Sequence, residues 1–265
     1  MKGAIIKYFG SKATMFNKII EHFPEQGSYD TYIEPFSGTW SIGFNKPDCP
    51  VEIYNDIEQN VYSLYKVISD KNLFPLFKDK CDLIYYNEDL RKDFKEKLKN
   101  DNLSIVDRAF MFFYVNRTSH NGLGGFSLNT VIRRNMSKSI SDFLSCIDRL
   151  PEFHQRLSKV VILNTDALEL IKKYDRPNVM FYCDSPYSWT TRTSVRYKHD
   201  MNEEKQLEYL NIVIKTKAKI LVSGYNCETY SILDKNGFTR HDFEVNTVDG
   251  NRKPKIKVES LWKNY

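Results

Sequence analysis

The chain contains no run of 18 apolar residues, so a membrane-spanning helix is not expected. Its start, Met1-Lys2-Gly3-Ala4-Ile5-Ile6-Lys7, lacks the long apolar region and cleavage site of a secretory signal. Cysteine is sparse. Cys49, Cys81, Cys146, Cys183 and Cys227 are odd in number, scattered, and never spaced as CxxC. Neither a disulfide framework nor a cysteine zinc site is suggested, and the cytoplasm is the expected compartment. His120, His154 and His199 stand apart without metal-ligand spacing, so no metal is expected. Gly10-Ser11-Lys12 lacks the spacing of a P-loop, and the turn around Gly38 has too few glycines for a dinucleotide fingerprint. Acidic residues are missing from one long stretch, between Asp107 and Asp142.

That gap shows where the charge lies. Residues 59–159 hold 17 Lys/Arg against 12 Asp/Glu, which is the whole net charge of +5. Arg108, Arg117, Arg133, Arg134 and Lys138 fall inside the acid-free window. A polyanion partner is one reading and a solvated charged face is the other. With 265 residues and 41% hydrophobic content, the chain can bury a sizeable core, as one large α/β domain or a domain with an insertion.

Apolar runs ending in acids recur. Val179-Met180-Phe181-Tyr182-Cys183 predicts a buried strand running into Asp184-Ser185-Pro186-Tyr187. Ligands in open α/β sheets sit beyond the carboxyl ends of strands, which places Asp184 and Tyr187 where chemistry is expected. A plain strand end with a Pro turn is the alternative. Thr31-Tyr32-Ile33 predicts an earlier strand leading into the turn Glu34-Pro35-Phe36-Ser37-Gly38. Val51-Glu52-Ile53-Tyr54-Asn55 predicts the next, ending at Asp56. An acid there can accept ribose hydroxyls, or can cap a helix over Ile57–Ile68. Val160–Leu163 leads to Asp166 and a helix over Ala167–Tyr174. Helices are expected over Ala13–Phe23, within Asn72–Asn102, and over Ser104–Val115, Ser141–Leu150, Glu152–Leu157 and Glu203–Lys215. The Phe- and Met-rich Ser104–Val115 reads as core. Strands are expected at Lys219–Tyr225 and in the tail Lys257–Tyr265.

Taken in order, these segments resemble the Dam-type adenine-specific DNA methyltransferases. Lys7-Tyr8-Phe9-Gly10-Ser11-Lys12 is similar to that family's K-[WY]-x-G-[GS]-K opening, and Glu34–Gly38 to its EPFxG turn. Asn55-Asp56-Ile57 resembles its NDI acid. Asn116-Arg117-Thr118 and Asn121-Gly122-Leu123 resemble its NR-then-NGL segment. Asp184-Ser185-Pro186-Tyr187 stands where the family carries DPPY, and Val258-Glu259-Ser260-Leu261-Trp262 resembles its closing strand. Each motif is weak alone. Six in the family's order span nearly the whole chain.

The resemblance implies an α/β fold: a Rossmann-like class I S-adenosylmethionine-dependent methyltransferase sheet carrying a mainly helical target-recognition insertion. Residues 1–58 and 160–265 would form the catalytic domain, and 59–159 the DNA-binding insertion. The implied activity is methyl transfer from S-adenosylmethionine to the exocyclic N6 of a flipped adenine in double-stranded DNA. The implied cofactor residues are Tyr8, Lys12, Phe36, Gly38, Asp56, Asp166 and Asp184. Asp184, Ser185, Pro186 and Tyr187 would be catalytic. Arg117, Asn121, Arg133, Arg134, Asn135 and Lys138 would meet DNA. The setting implied is the cytoplasm of a bacterium or a phage-infected host, away from membranes. A cognate restriction endonuclease is a partner compatible with this class, and the oligomeric state stays open.

Two positions depart from the pattern. Ser185 replaces a proline, and with it that residue's fixed φ. Gly124-Gly125-Phe126 follow the NGL segment where GATC-reading members carry an arginine, so Arg133, Arg134 and Asn135 become the substitutes for base or phosphate contact. Two alternatives follow: a catalytically impaired DNA-binding protein of the same fold, or a related enzyme acting on RNA or using a modified cofactor.

Overall fold

The computed structural model describes residues 4–7, 12, 15–122, 124–186, 201–248 and 254–265. In chain order the strands are Thr31–Glu34 (β1), Val51–Asn55 (β2), Ile132–Arg133 (β3), Met136–Ser137 (β4), Val161–Leu163 (β5), Val179–Cys183 (β6), Lys219–Gly224 (β7), Thr239–Val248 (β8) and Pro254–Lys263 (β9). The helices are Phe16–Ile20 (α1), Gln59–Ser69 (α2), Leu73–Asp82 (α3), Glu88–Lys97 (α4), Ile105–Arg117 (α5), Lys138–Asp148 (α6), Leu150–Leu157 (α7), Ala167–Tyr174 (α8), Glu203–Lys215 (α9) and Ser231–Lys235 (α10). The chain divides into two units. The first is Met1–Phe16, Gly38–Lys46 and Glu58–Asn164; the second is Asn17–Ser37, Pro47–Ile57 and Thr165–Tyr265.

The second unit holds six of the seven strands of the main sheet, in the order β2-β1-β6-β7-β9-β8. β2, β1, β6 and β7 are mutually parallel, and β9 runs antiparallel to both β7 and β8. Every residue of β1 and β6 is buried. That explains the unbroken apolar run of β6, since parallel strands are covered on both faces, while β1 also buries the polar Thr31 and Glu34. β8 had no counterpart in the sequence reading. Its residues Arg240–Val245 alternate between exposed and half-buried, and it lies at the sheet edge. Charged, polar edge strands resist unwanted pairing and show little hydrophobic pattern.

The first unit is mainly helical. α2 packs on α5 and α7, and α5 on α3 and α4. Aromatic rings fill its core: Phe94 lies 5.3 Å from Tyr114, Tyr114 lies 5.7 Å from Phe143, and Phe77 meets Phe113 edge-on at 5.7 Å. The Phe-rich segment of α5 is therefore core, as its composition suggests. Ser104 starts α5 by accepting from the Asp107 backbone N–H and donating to the Asp107 carboxylate.

Two local expectations are corrected. The helix expected over Ala13–Phe23 reduces, among the described residues, to Phe16–Ile20, with a turn at Glu21–Phe23. His22-Phe23-Pro24 explains the early stop, because a residue preceding proline disfavours helical backbone. Asp56 does not cap the following helix. Glu58 does, accepting from Val61 N–H at 2.9 Å, and the helix begins at Gln59. Asp56 is buried directly after β2 instead.

Candidate active site

The parallel register sets the carboxyl ends of β2, β1, β6 and β7 side by side in the second unit. The chain leaves β1 for β2 on one side, yet β6 lies on the other. The position between β1 and β6 is thus a topological switch point, where open α/β sheets place their ligands. Phe36 and Ser37 follow β1, Asp56 follows β2, and Asp184-Ser185-Pro186 follow β6.

Asn55 braces these strand ends. Its side chain is fully buried and donates to Pro35 C=O at 2.9 Å and Thr165 C=O at 3.0 Å. Its amide oxygen accepts from Thr165 N–H at 3.0 Å and Thr165 Oγ1 at 3.2 Å. Ser37 completes the brace: its hydroxyl donates to Glu34 C=O at 2.7 Å and accepts from Asn55 N–H at 2.9 Å. The turn after β1 is therefore held to the end of β2 by side chains as well as by backbone. Phe36 is half-buried and meets Tyr209 edge-on at 5.6 Å. Asp166 caps α8, accepting from Leu168 N–H at 2.8 Å and Glu169 N–H at 3.3 Å. This capping role accounts for an acid at that position.

Asp184 is half-buried, and one of its oxygens accepts from Ser223 Oγ at 3.1 Å. Ser223 sits near the end of β7, the neighbouring strand, and is fully buried. Its hydroxyl also stands 3.4 Å from the Glu259 carboxylate, but it has one proton to give and Asp184 is nearer. Cys183, next to Asp184, is the conspicuous nucleophile by residue type. It is fully buried, and that burial pushes its thiol far above the ordinary range. Buried cysteines in apolar surroundings are inert, so Cys183 reads as a structural residue. Among the described residues, no group of three or more His, Cys, Asp or Glu side chains is placed to hold a metal ion.

In the first unit, the NR-then-NGL residues grip the N-terminal segment. Asn116 is buried, accepts from Lys7 N–H at 2.8 Å and donates to Lys7 C=O at 2.8 Å. Gly122 has φ +84°, and a Cβ there would stand 2.1 Å from Lys7 C=O, so only glycine fits. The Lys7 ammonium donates to the carbonyls of Arg117 and Ser119 at 2.8 and 3.0 Å. Burial, and then the Arg117 guanidinium, lower its pKa to about 8. Arg117 itself donates to Asp142 C=O at 3.2 Å.

The basic stretch beyond forms a hairpin. Ile132 pairs with Ser137 and Arg133 with Met136, which leaves Arg134-Asn135 as a two-residue loop. Both have positive φ, 55° and 57°, as a type I′ turn demands. Asn tolerates this backbone, whereas Arg does not favour it. Arg133 and Lys138 both pair with Asp142. Arg134 donates to Ser145 Oγ at 3.0 Å. Leu128, Val131 and Ile132 around it are exposed.

A strand-end carboxylate at a switch point and a basic hairpin are both compatible with methyl transfer to a polyanion. Residues 8–248 match the family described as D12 class N6 adenine-specific DNA methyltransferase. The chain belongs to this family. The methyltransferase is 22% identical to the DNA adenine methylase of Escherichia coli strain K12 over 281 residues, covering 99% of this chain and 95% of the relative. It is 23% identical to that of Serratia marcescens over 242 residues, covering 85% and 84%. For that of Haemophilus influenzae the figures are 24% over 187 residues, 69% and 63%.

The methyltransferase gathers Phe36, Asp56 and Asp184 at adjacent strand ends. Gly38, with φ +49°, and the buried Lys12 belong to the first unit. Tyr8 and Tyr187 lie outside the described residues, as does the side chain of Asn121. Sequence reasoning missed Asn55 and Ser223. Asn55 stands inside the NDI motif, beside the acid that carries the motif's chemical signal. Ser223 was visible only as a small residue at a strand end. Among the described residues no helix is long and apolar enough to cross a membrane.

Proposed function

We propose that this methyltransferase moves a methyl group from S-adenosylmethionine to the exocyclic N6 of an adenine flipped out of double-stranded DNA. The observation carrying this reading is the Asp184 carboxylate at the end of β6, beside the switch point, supported by Ser223. The donor set fits the cofactor. Asp56, buried directly after β2, stands where an acid accepts ribose hydroxyls, and Phe36 offers an aromatic face edge-braced by Tyr209. Asp166 borders the same strand ends through Thr165 and Asn55. Tyr8, Lys12 and Gly38 are assigned to cofactor binding on their motifs. When bound, S-adenosylmethionine supplies an electrophilic methyl group.

Adenine's amino lone pair is delocalised into its ring, and the base is stacked in the duplex. Flipping it out costs a few kcal/mol. Asp184 then accepts one hydrogen bond from the amino group and the Ser185 backbone C=O accepts the other, which favours a tetrahedral nitrogen. Pro186 rigidifies the turn through its fixed φ. Tyr187 stacks on the base. Catalysis is mainly positioning and electrostatics.

Residues 59–159 serve as the target-recognition insertion, set between the two parts of a catalytic domain, 1–58 and 160–265. Its contacts to DNA come from the Arg133–Lys138 hairpin, with Arg117 and Asn121 assigned to DNA on their motif. Arg134→Asn is expected to separate two contacts, because Asn keeps a residue tolerant of positive φ while removing the charge. If Arg134 meets phosphate, affinity falls for all sequences alike and the salt slope drops by about one; if it reads a base, about 1–3 kcal/mol is lost and one position relaxes. Unchanged affinity and slope would remove Arg134 from the interface.

The function is tested by incubating the full chain with labelled S-adenosylmethionine and either duplex DNA or RNA. Label is expected in DNA alone. Label in RNA alone would contradict the proposal, and cofactor and DNA binding without transfer would point to a binding protein.

A further inference from the structure

The tetrapeptide departs from DPPY only at Ser185, and the structure shows what the serine hydroxyl does. Ser185 is 1% exposed, and its Oγ lies 3.0 Å from the Tyr230 hydroxyl. Tyr230 is equally buried and accepts from Gln206 Nε2 at 2.8 Å. Gln206 is on α9, and Tyr230 ends the short 3₁₀ turn Glu228–Tyr230 that follows β7. One hydroxyl therefore ties the end of β6 to two other elements of the second unit.

The position of Tyr230 is well determined. Its ring lies 5.2 Å from that of Trp262, and the Trp262 indole N–H donates to Asp234 at 3.0 Å. A Cβ at Gly224 would stand 3.0 Å from the Tyr230 ring, so the glycine makes room for it. Burial pushes the Tyr230 hydroxyl well up, so it stays protonated and able to donate. Gln206 already donates to Tyr230, which leaves the Tyr230 proton for Ser185.

We propose that the Ser185 hydroxyl is a positioning group. Bonded to Tyr230 and through it to Gln206, it fixes the residue whose backbone C=O faces the adenine amino group, and so replaces by side-chain hydrogen bonds the restraint that a proline supplies through its ring. This rests on the reading of Asp184–Tyr187 as catalytic. A proline at 185 would restore the fixed φ but remove the buried Tyr230 hydroxyl's partner on β6's end, leaving it only the bond from Gln206. The two restraints are alternatives, and the family residue is the wrong one for this chain.

The test uses the full chain with Ser185→Ala, Tyr230→Phe, their double variant, Ser185→Pro and Asp184→Ala. Kinetics on S-adenosylmethionine and duplex DNA are measured beside the melting temperature. Ser185→Ala and Tyr230→Phe are each expected to lower kcat about tenfold, with KM for both substrates nearly unchanged, as for loss of one positioning hydrogen bond. The double variant should be no slower than the singles, since both break the same link. Ser185→Pro should be slower than wild type. Wild-type kcat in Ser185→Ala and Tyr230→Phe, additive losses, or a Ser185→Pro as fast as wild type would overturn the inference. If Ser185→Pro does not fold, the Ala and Phe variants decide. Should those variants stay fully active while Asp184→Ala is dead, only this inference fails. Should Asp184→Ala itself transfer normally, the underlying reading fails.

Discussion

Asp184→Ala is expected to slow methyl transfer by about 10²–10³-fold, the loss seen when one preorganised group facing developing charge is removed. The amino nitrogen becomes positively charged as it attacks, and its protons need acceptors before they leave. Asp184 is the carboxylate that the end of β6 presents, and Ser223 fixes one of its oxygens at 3.1 Å. Single-turnover rates with saturating cofactor and DNA measure the effect directly. Asp184→Asn should lie between, because an amide oxygen still accepts but carries no charge. The folded state should survive, since Asp184 is only half-buried. A single-turnover rate near wild type for Asp184→Ala would remove the carboxylate from the chemistry.

Asn55→Ala carries the second large effect, on stability. The substitution leaves Pro35 C=O, Thr165 C=O and Thr165 N–H without the side chain that pairs them. Unpaired buried polar groups cost about 1–3 kcal/mol each, so a total loss of about 3 kcal/mol is expected where the Thr165 groups regain water. Such a loss corresponds to roughly 6–12 °C in melting temperature. Asn55→Asp should fall between, because it still accepts from Thr165 but cannot donate to Pro35 or Thr165 carbonyls. Calorimetry of the two variants decides. An Asn55→Ala protein melting with wild type would show that the brace is dispensable.

The contrast between Asp184 and Asn55 shows what sequence makes legible. β6 and β7 are legible as apolar runs, β1 and β2 as short β-prone runs, and Asp56 and Asp184 stand out directly after β2 and β6. Helices α8 and α9 were readable because Asp166 and Asn202 supply caps in front of amphipathic stretches. The edge strand β8 was not readable, because Thr239, Arg240, Asp242 and Glu244 on it face solvent. Residues that act through others were also hidden. Asn55, Ser223, Gln206 and Tyr230 bond to groups far away in the chain, and separations such as 110 residues between Asn55 and Thr165 leave no local pattern. The NR-then-NGL motif gives no local sign that Asn116 and Gly122 are committed to the backbone of Lys7. The serine at 185 illustrates the same limit. From sequence it was a missing proline; in the fold it is a hydrogen-bonded anchor.

The most direct test of the account is the identity of the modified base. Duplex DNA is incubated with the full chain and methyl-labelled S-adenosylmethionine, digested to nucleosides, and resolved against standards. The account predicts all label in N6-methyldeoxyadenosine, entering about 10²–10³-fold more slowly with Asp184→Ala. Label on cytosine, or undiminished label on adenine from the Asp184→Ala protein, would contradict it.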